Sequence, residues 1–299
     1  MNRKTITVKT AAFAFLLAVC ASAVYAEGLA DRDASEARTP QTAEGFFERG
    51  LMFYDDDEFE LAIIEFNKAI QLDPSNAAFY NERGNAYSGM GEYILAITDY
   101  NLAISMQSDF AEAFNNRGAA YIEKKEFDLA MADFNTALEI KPDDAYALYN
   151  RGNTFNVKGE YDLAIADFNA ALEIEPNYAH ALYERACSYF FKSEYDLALT
   201  DYNAALEIQP YNPMILNGRG YLFMNGGKYD LAIKDFNQAI LLSPDDITPY
   251  VNRGYAYLKM KDWNRAIADF ETALTLNPTE EHIAAIERWI NDAKEERGR

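Results

Sequence analysis

Counting in steps of 34 residues from Gly152 lands on Gly118, Gly84 and Gly50 in one direction, and on Ala186, Gly220 and Gly254 in the other. No insertion or deletion breaks the count between residues 43 and 280. Seven consecutive units of one length form a repeat array in which each unit buries its apolar face only by stacking on its neighbours. The units are 43–76, 77–110, 111–144, 145–178, 179–212, 213–246 and 247–280. This regularity constrains architecture far more tightly than it constrains a partner.

Each unit reads as two helices. In the unit Ala145 to Tyr178 the first runs from about Ala145 to Val157, and Gly159 marks the turn because glycine accepts backbone angles that other residues avoid. The second runs from about Tyr161 to Ile174 and is stopped by Pro176. Proline recurs at that register as Pro74, Pro142, Pro210, Pro244 and Pro278, with Ser108 in the second unit. Tyr161, Ala164, Phe168, Ala171 and Leu172 are spaced by three and four, which places them on one helical face. Ala164 has alanine at its equivalent in all seven units, and its expected partner is Gly152 on the first helix. Glycine inside a helix costs about 1 kcal/mol relative to alanine, so its recurrence implies a close approach that offsets the cost. Ala186 is expected to widen that crossing slightly.

Taken together, these positions resemble the tetratricopeptide repeat: a small residue eighth in the unit, an aromatic three later, Ala at twenty, Phe or Tyr at twenty-four, Ala at twenty-seven and Pro at thirty-two. The resemblance implies an all-α fold, a right-handed superhelical solenoid of antiparallel helix pairs. It also implies a concave groove lined mainly by first helices, and protein or peptide binding rather than catalysis. From Glu280 to Arg297 the phase is lost, while Ile283, Ile286 and Ile290 keep an apolar stripe with Glu287, Asp292, Lys294 and Glu295 left to solvent. Residues 281–299 are therefore expected to form a capping helix and tail that close the open end of the stack.

The start of the chain lies outside the array. Arg3, Lys4 and Lys9 precede a short uncharged run at residues 11–24, and small residues lead to Ala26 before Glu27. This is the pattern of a secretory signal peptide over residues 1–26, cut after Ala26 or alternatively after Ala23, and it predicts a periplasmic or other cell-envelope location. The alternatives are secretion, or a lipid anchor at Cys20, for which Val19 is a poor fit. Residues 27–42 carry few large apolar side chains and read as a flexible lead-in. Losing three positive residues and no acids takes the formal charge from −21 to −24, which disfavours wrapping nucleic acid. Cys187 would then be the only cysteine, so no internal disulfide is available. Nothing else is apolar long enough to span a membrane.

Every unit places Arg before its small residue, from Arg49 through Arg83, Arg117, Arg151, Arg185 and Arg219 to Arg253, with an acid sixteen residues on, from Glu65 to Asp269. A guanidinium ladder for anions is one reading. The favoured one is a structural bond joining first and second helices, because a binding site rarely needs one residue in every unit.

Function is sought in what varies. Groove positions carried over from the resemblance are the second, fifth, sixth, ninth, twelfth and thirteenth of each unit. They are acid-rich in the first three units, with Glu44, Glu48, Asp55, Glu82, Glu112 and Glu123, and aromatic later. The candidate partner-binding groove comprises Asn116, Tyr146, Tyr149, Asn150, Asn153, Tyr183, Phe190, Tyr221, Asn252 and Tyr255. Asn116, Asn150 and Asn252 stand where some long members of the resembled family carry an asparagine ladder, interrupted here by Glu82, Glu184 and Gly218. Amides can both donate to and accept from a peptide backbone, aromatics supply apolar anchors, and the acidic end favours a basic partner. The basic clamp with which some members of the resembled family grip a terminal carboxylate is missing, since Lys259 is the one basic residue at such positions. His180 and Cys187 lie about 10 Å apart along one helix, and no phosphate loop or metal-ligand spacing occurs, so neither an enzyme nor a cofactor is expected. A carrier of small apolar ligands, or an accessory to an envelope transporter, is the alternative function. Self-association stays open.

Overall fold

The computed structural model describes residues 41–298, so the signal peptide, Cys20 and nearly all of the lead-in lie outside the described residues. Fifteen helices follow one another, and no strand occurs among the described residues. They are α1 (Ala43–Asp55), α2 (Phe59–Leu72), α3 (Ala77–Gly89), α4 (Tyr93–Met106), α5 (Ala111–Glu123), α6 (Phe127–Ile140), α7 (Ala145–Lys158) and α8 (Tyr161–Ile174). The chain continues through α9 (Ala179–Phe191), α10 (Tyr195–Ile208), α11 (Pro213–Asn225), α12 (Tyr229–Leu242), α13 (Ile247–Lys259), α14 (Trp263–Thr275) and α15 (Glu280–Arg297). Consecutive helices pack as pairs, and each pair packs on the next to make a solenoid. Successive first helices, from α1 against α3 to α11 against α13, also touch, whereas second helices make no comparable contact with one another. The stack therefore curves with the odd-numbered helices on its inner face.

Why the units turn where they do is visible in the backbone. The fifteenth residue of every unit has positive φ: Asp57, Gly91, Lys125, Gly159, Ser193, Gly227 and Lys261, between 60° and 77°. This left-handed conformation reverses the chain between the two helices of a pair. Glycine supplies it without strain at three turns; Asp, Lys and Ser adopt it at the other four, at some cost. The fold sets the angle even where the sequence offers no glycine.

The core consists of one layer per unit. Ala62, Ala96, Ala130, Ala164, Ala198, Ala232 and Ala266 are fully buried, as is the aromatic four residues later in nearly every unit. That aromatic, rather than the alanine, is what meets the helix glycine. A Cβ on Gly152 would stand 2.8 Å from Phe168 Cε1, and Gly50, Gly84, Gly118, Gly220 and Gly254 face Phe66, Tyr100, Phe134, Phe236 and Phe270 in the same way. The expectation that Ala164 opposes Gly152 is corrected accordingly. Ala164 sits beside Phe168 and Ala181 of the following unit, and the ring one turn further along α8 reaches across the crossing. Where the glycine is replaced by Ala186, the corresponding ring, Tyr202, lies against Gly218 of the next unit, 2.9 Å from a Cβ placed there.

The Arg and acid series forms a structural clasp. Arg151 donates from Nε and Nη2 to Asp167 Oδ2 and Oδ1 at 2.7 Å each, and the pattern repeats from Arg83 to Arg253; Arg49 bonds Glu65. The remaining nitrogen reaches backward: Arg151 Nη1 donates to Asn135 Oδ1 at 2.8 Å, and Arg83, Arg117, Arg185, Arg219 and Arg253 do likewise to Asn67, Asn101, Asn169, Asn203 and Asn237. One guanidinium thus joins the two helices of its unit and ties that unit to the one before. Bonding to the carboxylate holds the guanidinium of Arg151 above its ordinary range, against the opposing effect of burial.

At the far end α15 lays Ile286, Ile290 and Ala293 onto Phe270 and Ala273, with Trp289 half-buried alongside. In the seventh unit the asparagine of the clasp is replaced by Glu271, and Lys294 of α15 pairs with it at 3.7 Å. The last helix therefore answers the seventh unit with a different polar contact. No helix among the described residues is long and apolar enough to cross a membrane.

Candidate functional site

The inner face can be followed along the odd-numbered helices. At its start Glu44, Glu48, Asp55, Glu112 and Glu123 are exposed. Asn81, fully buried, donates to Glu82 Oε1 at 2.9 Å and to Glu112 Oε1 at 3.2 Å, while Asn85 donates to Glu82 Oε2 at 2.9 Å. Burial pushes the Glu82 carboxyl above the usual range, the amide bonds oppose this, and Glu112 adds to it.

The ladder asparagines bond to one another across units. Asn116 donates to Asn81 Oδ1 at 3.2 Å, Asn150 to Asn115 Oδ1 at 3.0 Å, and Asn252 to Asn217 Oδ1 at 3.0 Å. Each bond uses one N–H of an amide that has two, and leaves its carbonyl oxygen as an acceptor. Asn150 and Asn153 also border a small cavity of about 150 Å³ with Ile122, Glu123 and Val157.

The aromatic candidates divide into three groups. Tyr149 is half-buried and packs on Tyr178 (ring centroids 5.1 Å apart) and Phe168 (6.1 Å), with exposed Tyr146 set edge-on against Tyr178. Burial pushes the Tyr149 phenol up to about 12. Tyr255 stands against Trp289 of the last helix, with the Lys259 ammonium 4.9 Å above its ring. Tyr183, Phe190 and Tyr221 come together around a third place, with Asn252 at its edge, and line an open recess of about 290 Å³. Phe190 lies 5.5 Å from Tyr221, and Tyr183 lies 5.9 Å from Tyr202, centroid to centroid.

Several residues of this cavity are absent from the sequence-derived set: Cys187, Phe191, Tyr202, Asn217, Gly218 and Thr248. All but Tyr202 stand at groove positions. Gly218 is the informative one, because a side chain there would strike Tyr202 Cε1 at 2.9 Å and Tyr183 Cε2 at 3.0 Å. The only signal for it in the sequence is a glycine at a register that elsewhere holds Asn or Glu. Cys187 touches the Tyr202 hydroxyl at 3.4 Å, and burial raises its thiol to about 11, so it is a poor nucleophile. His180 is exposed, its ring edge-on to Tyr178. No cluster of metal-ligating side chains occurs among the described residues.

Tetratricopeptide repeat models match residues 111–144 and 145–178, 77–110, 183–249 and 220–291, and a TPR repeat model matches 50–91. No curated protein matches the chain. Among solved structures, it is similar to a tetratricopeptide repeat protein from Parabacteroides merdae, at 25% identity over 85% of this chain and 100% of that one, with a TM-score of 0.65. A chain of the APC/C hetero-tetramer Cut9-Hcn1 shares the fold at 19% identity and a TM-score of 0.74, over 85% of this chain and 50% of that one. Pseudomonas aeruginosa pilF does so at 21% identity and 0.62, over 74% and 96%. With family matches running almost unbroken from residue 50 to 291 on a stack of paired helices, the chain belongs to the tetratricopeptide repeat family.

Proposed function

We propose that the chain is an exported scaffold or adaptor that holds a protein or peptide partner on its inner face, in support of an assembly, secretion or transport process of the cell envelope. The observation that carries this reading is the convergence of Tyr183, Phe190 and Tyr221 on one cavity of the inner face. Rigid aromatic side chains beside amides are the chemistry of a peptide-binding surface, with ring faces for apolar anchors and amides for backbone groups. The leader at residues 1–26 supports export, and the acidic charge supports a basic partner. Tetratricopeptide repeat proteins as a family bind protein partners rather than catalyse reactions, which favours an adaptor over an enzyme.

The test is in-cell crosslinking followed by mass-spectrometric identification of what is captured by the parent chain and by a Phe190→Ala, Tyr221→Ala variant confirmed to fold. Loss of an envelope protein from the variant supports the adaptor. The same partner captured by both moves binding to the convex face or the ends. A second reading, a carrier of small apolar ligands, is favoured by the ring-walled character of the same cavity; uptake of a neutral apolar dye with no captured protein would select it.

A further inference from the structure

A recess at the same register as the Tyr183 cavity also stands between the third and fourth units, with Asn150 at its edge and about 150 Å³ of space, and the larger one lies where the repeat is broken at one position. The sixth residue of a unit is Asn or Glu in every other unit, and wherever it is Asn it reaches back to the fifth residue of the unit before. In the sixth unit it is Gly218, and the fifth residue of the unit before is Tyr183, an aromatic in place of a bonding amide. The missing side chain lets Tyr202 and Tyr183 lean into its space. What remains is a recess of about 290 Å³ walled by Phe190, Tyr221 and Tyr183, with Asn217 and Asn252 at its polar rim. That volume is at the lower edge of small-molecule sites, which span about 300–1,000 Å³, and it suits a single bulky side chain.

One charged group accompanies the recess. Glu184 follows Tyr183 on α9, three residues before Cys187, and is half-buried, so it stands next to two residues that line the cavity. Its carboxylate accepts from Asn156 Nδ2 at 3.4 Å, and no Lys or Arg forms an ion pair with it among the described residues. The guanidinium next to it in sequence, Arg185, is committed to Asp201 and Asn169. A carboxylate desolvated without a cation is complementary to one that arrives from outside.

We infer that this recess takes one aromatic or other bulky apolar side chain of an extended partner segment, and that a Lys or Arg next to that anchor pairs with Glu184. The inference deepens the adaptor reading and rests on it. It gives that reading a recognition pattern, a single large apolar residue flanked by positive charge, and assigns Gly218 the role of admitting it.

The test uses the purified chain and a fluorescein-labelled heptapeptide, Gly-Gly-Lys-Trp-Lys-Gly-Gly, read by fluorescence anisotropy. Binding to the parent is expected to weaken about tenfold or more when the peptide's Trp becomes Ala. It is expected to weaken several-fold when its Lys residues become Glu. Glu184→Gln should remove most of the preference for Lys and flatten the salt dependence, while Gly218→Asn, which restores the side chain found elsewhere at this register, should abolish binding. Because Gly218→Asn crowds two tyrosines, Phe190→Ala is run beside it with circular dichroism on both. Equal affinity for the Trp and Ala peptides, or unaltered binding in both recess variants, overturns the inference. Neutral apolar dye taken up by the recess and not displaced by the peptide overturns it in favour of a carrier. If the crosslinked partner is lost on Phe190→Ala, Tyr221→Ala but the heptapeptide does not bind, the recognition pattern fails and the adaptor reading stands. If the partner survives that double substitution, the adaptor site itself is misplaced.

Discussion

Replacing Arg151 by Met keeps an aliphatic stem over the unit and deletes the guanidinium. Asp167, 6% exposed, then loses both of its bonds at 2.7 Å, and Asn135 of the preceding unit loses its partner at 2.8 Å. Removing one member of a fully buried pair costs about 3–5 kcal/mol, because the other charge is stranded. The Arg151 side chain keeps 24% of its surface exposed, so water relieves part of that, and we expect about 3 kcal/mol. For a cooperative unit of this size that corresponds to a fall of roughly 6–12 °C in Tm. Asp167→Asn should cost less, about 1–2 kcal/mol, since a neutral amide can still accept one bond. The double variant Arg151→Met, Asp167→Leu strands no charge and should be more stable than Arg151→Met alone. Asn135→Ala should cost about 1 kcal/mol through the lost tie between units. Urea and thermal unfolding followed by circular dichroism give all four values. A double variant no more stable than Arg151→Met alone, or an unchanged midpoint in Arg151→Met, would refute the clasp as a buried, coupled pair.

Lys125, exposed and held at φ 61°, sits at a turn where three sister units use glycine; Lys125→Gly should stabilise by about 0.5–1 kcal/mol, measured by urea midpoint, as the left-handed strain is relieved. Gly152→Val drives a branched side chain into the fully buried Phe168 ring and should cost about 2–3 kcal/mol, with the loss read in the same way. Glu184 is pushed above its ordinary 4.5 by burial, so between that value and its folded pKa the native state binds more protons than the unfolded one. Its favourable share of stability is complete below 4.5 and is lost as pH rises through the folded pKa. Glu184→Gln should therefore be at least as stable as the parent at neutral pH, with the advantage vanishing in acid; an advantage that grew as pH fell would contradict the burial argument.

Much of the fold could be read directly because a strict period turns local signals into a global one. Tyr161 to Ile174 is a helix with the boundaries its apolar spacing implies, and Ala164, Phe168 and Ala171 are its buried face. The contacts across the helix crossing were less legible. Periodicity gives which residues face inward but not how far a ring reaches, so Phe168 rather than Ala164 proved to fill the space above Gly152. The asparagines of the clasp were missed for a related reason. Asn135 lies sixteen residues before Arg151, in a different unit, and a polar residue on a second helix looks like ordinary solvent-facing composition until the neighbouring unit is stacked on it. Trp289 and Ala293 extended the capping stripe only once α15 was seen against Phe270.

The candidate site shows how repeats should be read for function. Positions identical in all units, such as the clasp arginines, are structural, because the same neighbours recur around each of them. Positions that vary smoothly, such as the ladder asparagines, build a surface whose amides bond between units and leave acceptors over. A position that breaks its own register alters the neighbours on both sides. Gly218 removes a rung, Tyr183 and Tyr202 move into the vacancy, and Phe190 and Tyr221 face a recess of about 290 Å³, against about 150 Å³ at the same register beside Asn150. Its chemistry could not be listed from aromatic content alone, since Tyr149 is equally aromatic and is spent on packing against Tyr178 and Phe168. The distinction lies in the residue opposite: Tyr149 stands at the register answered by Glu184, whereas Tyr183 is answered by Gly218, which brings no side chain.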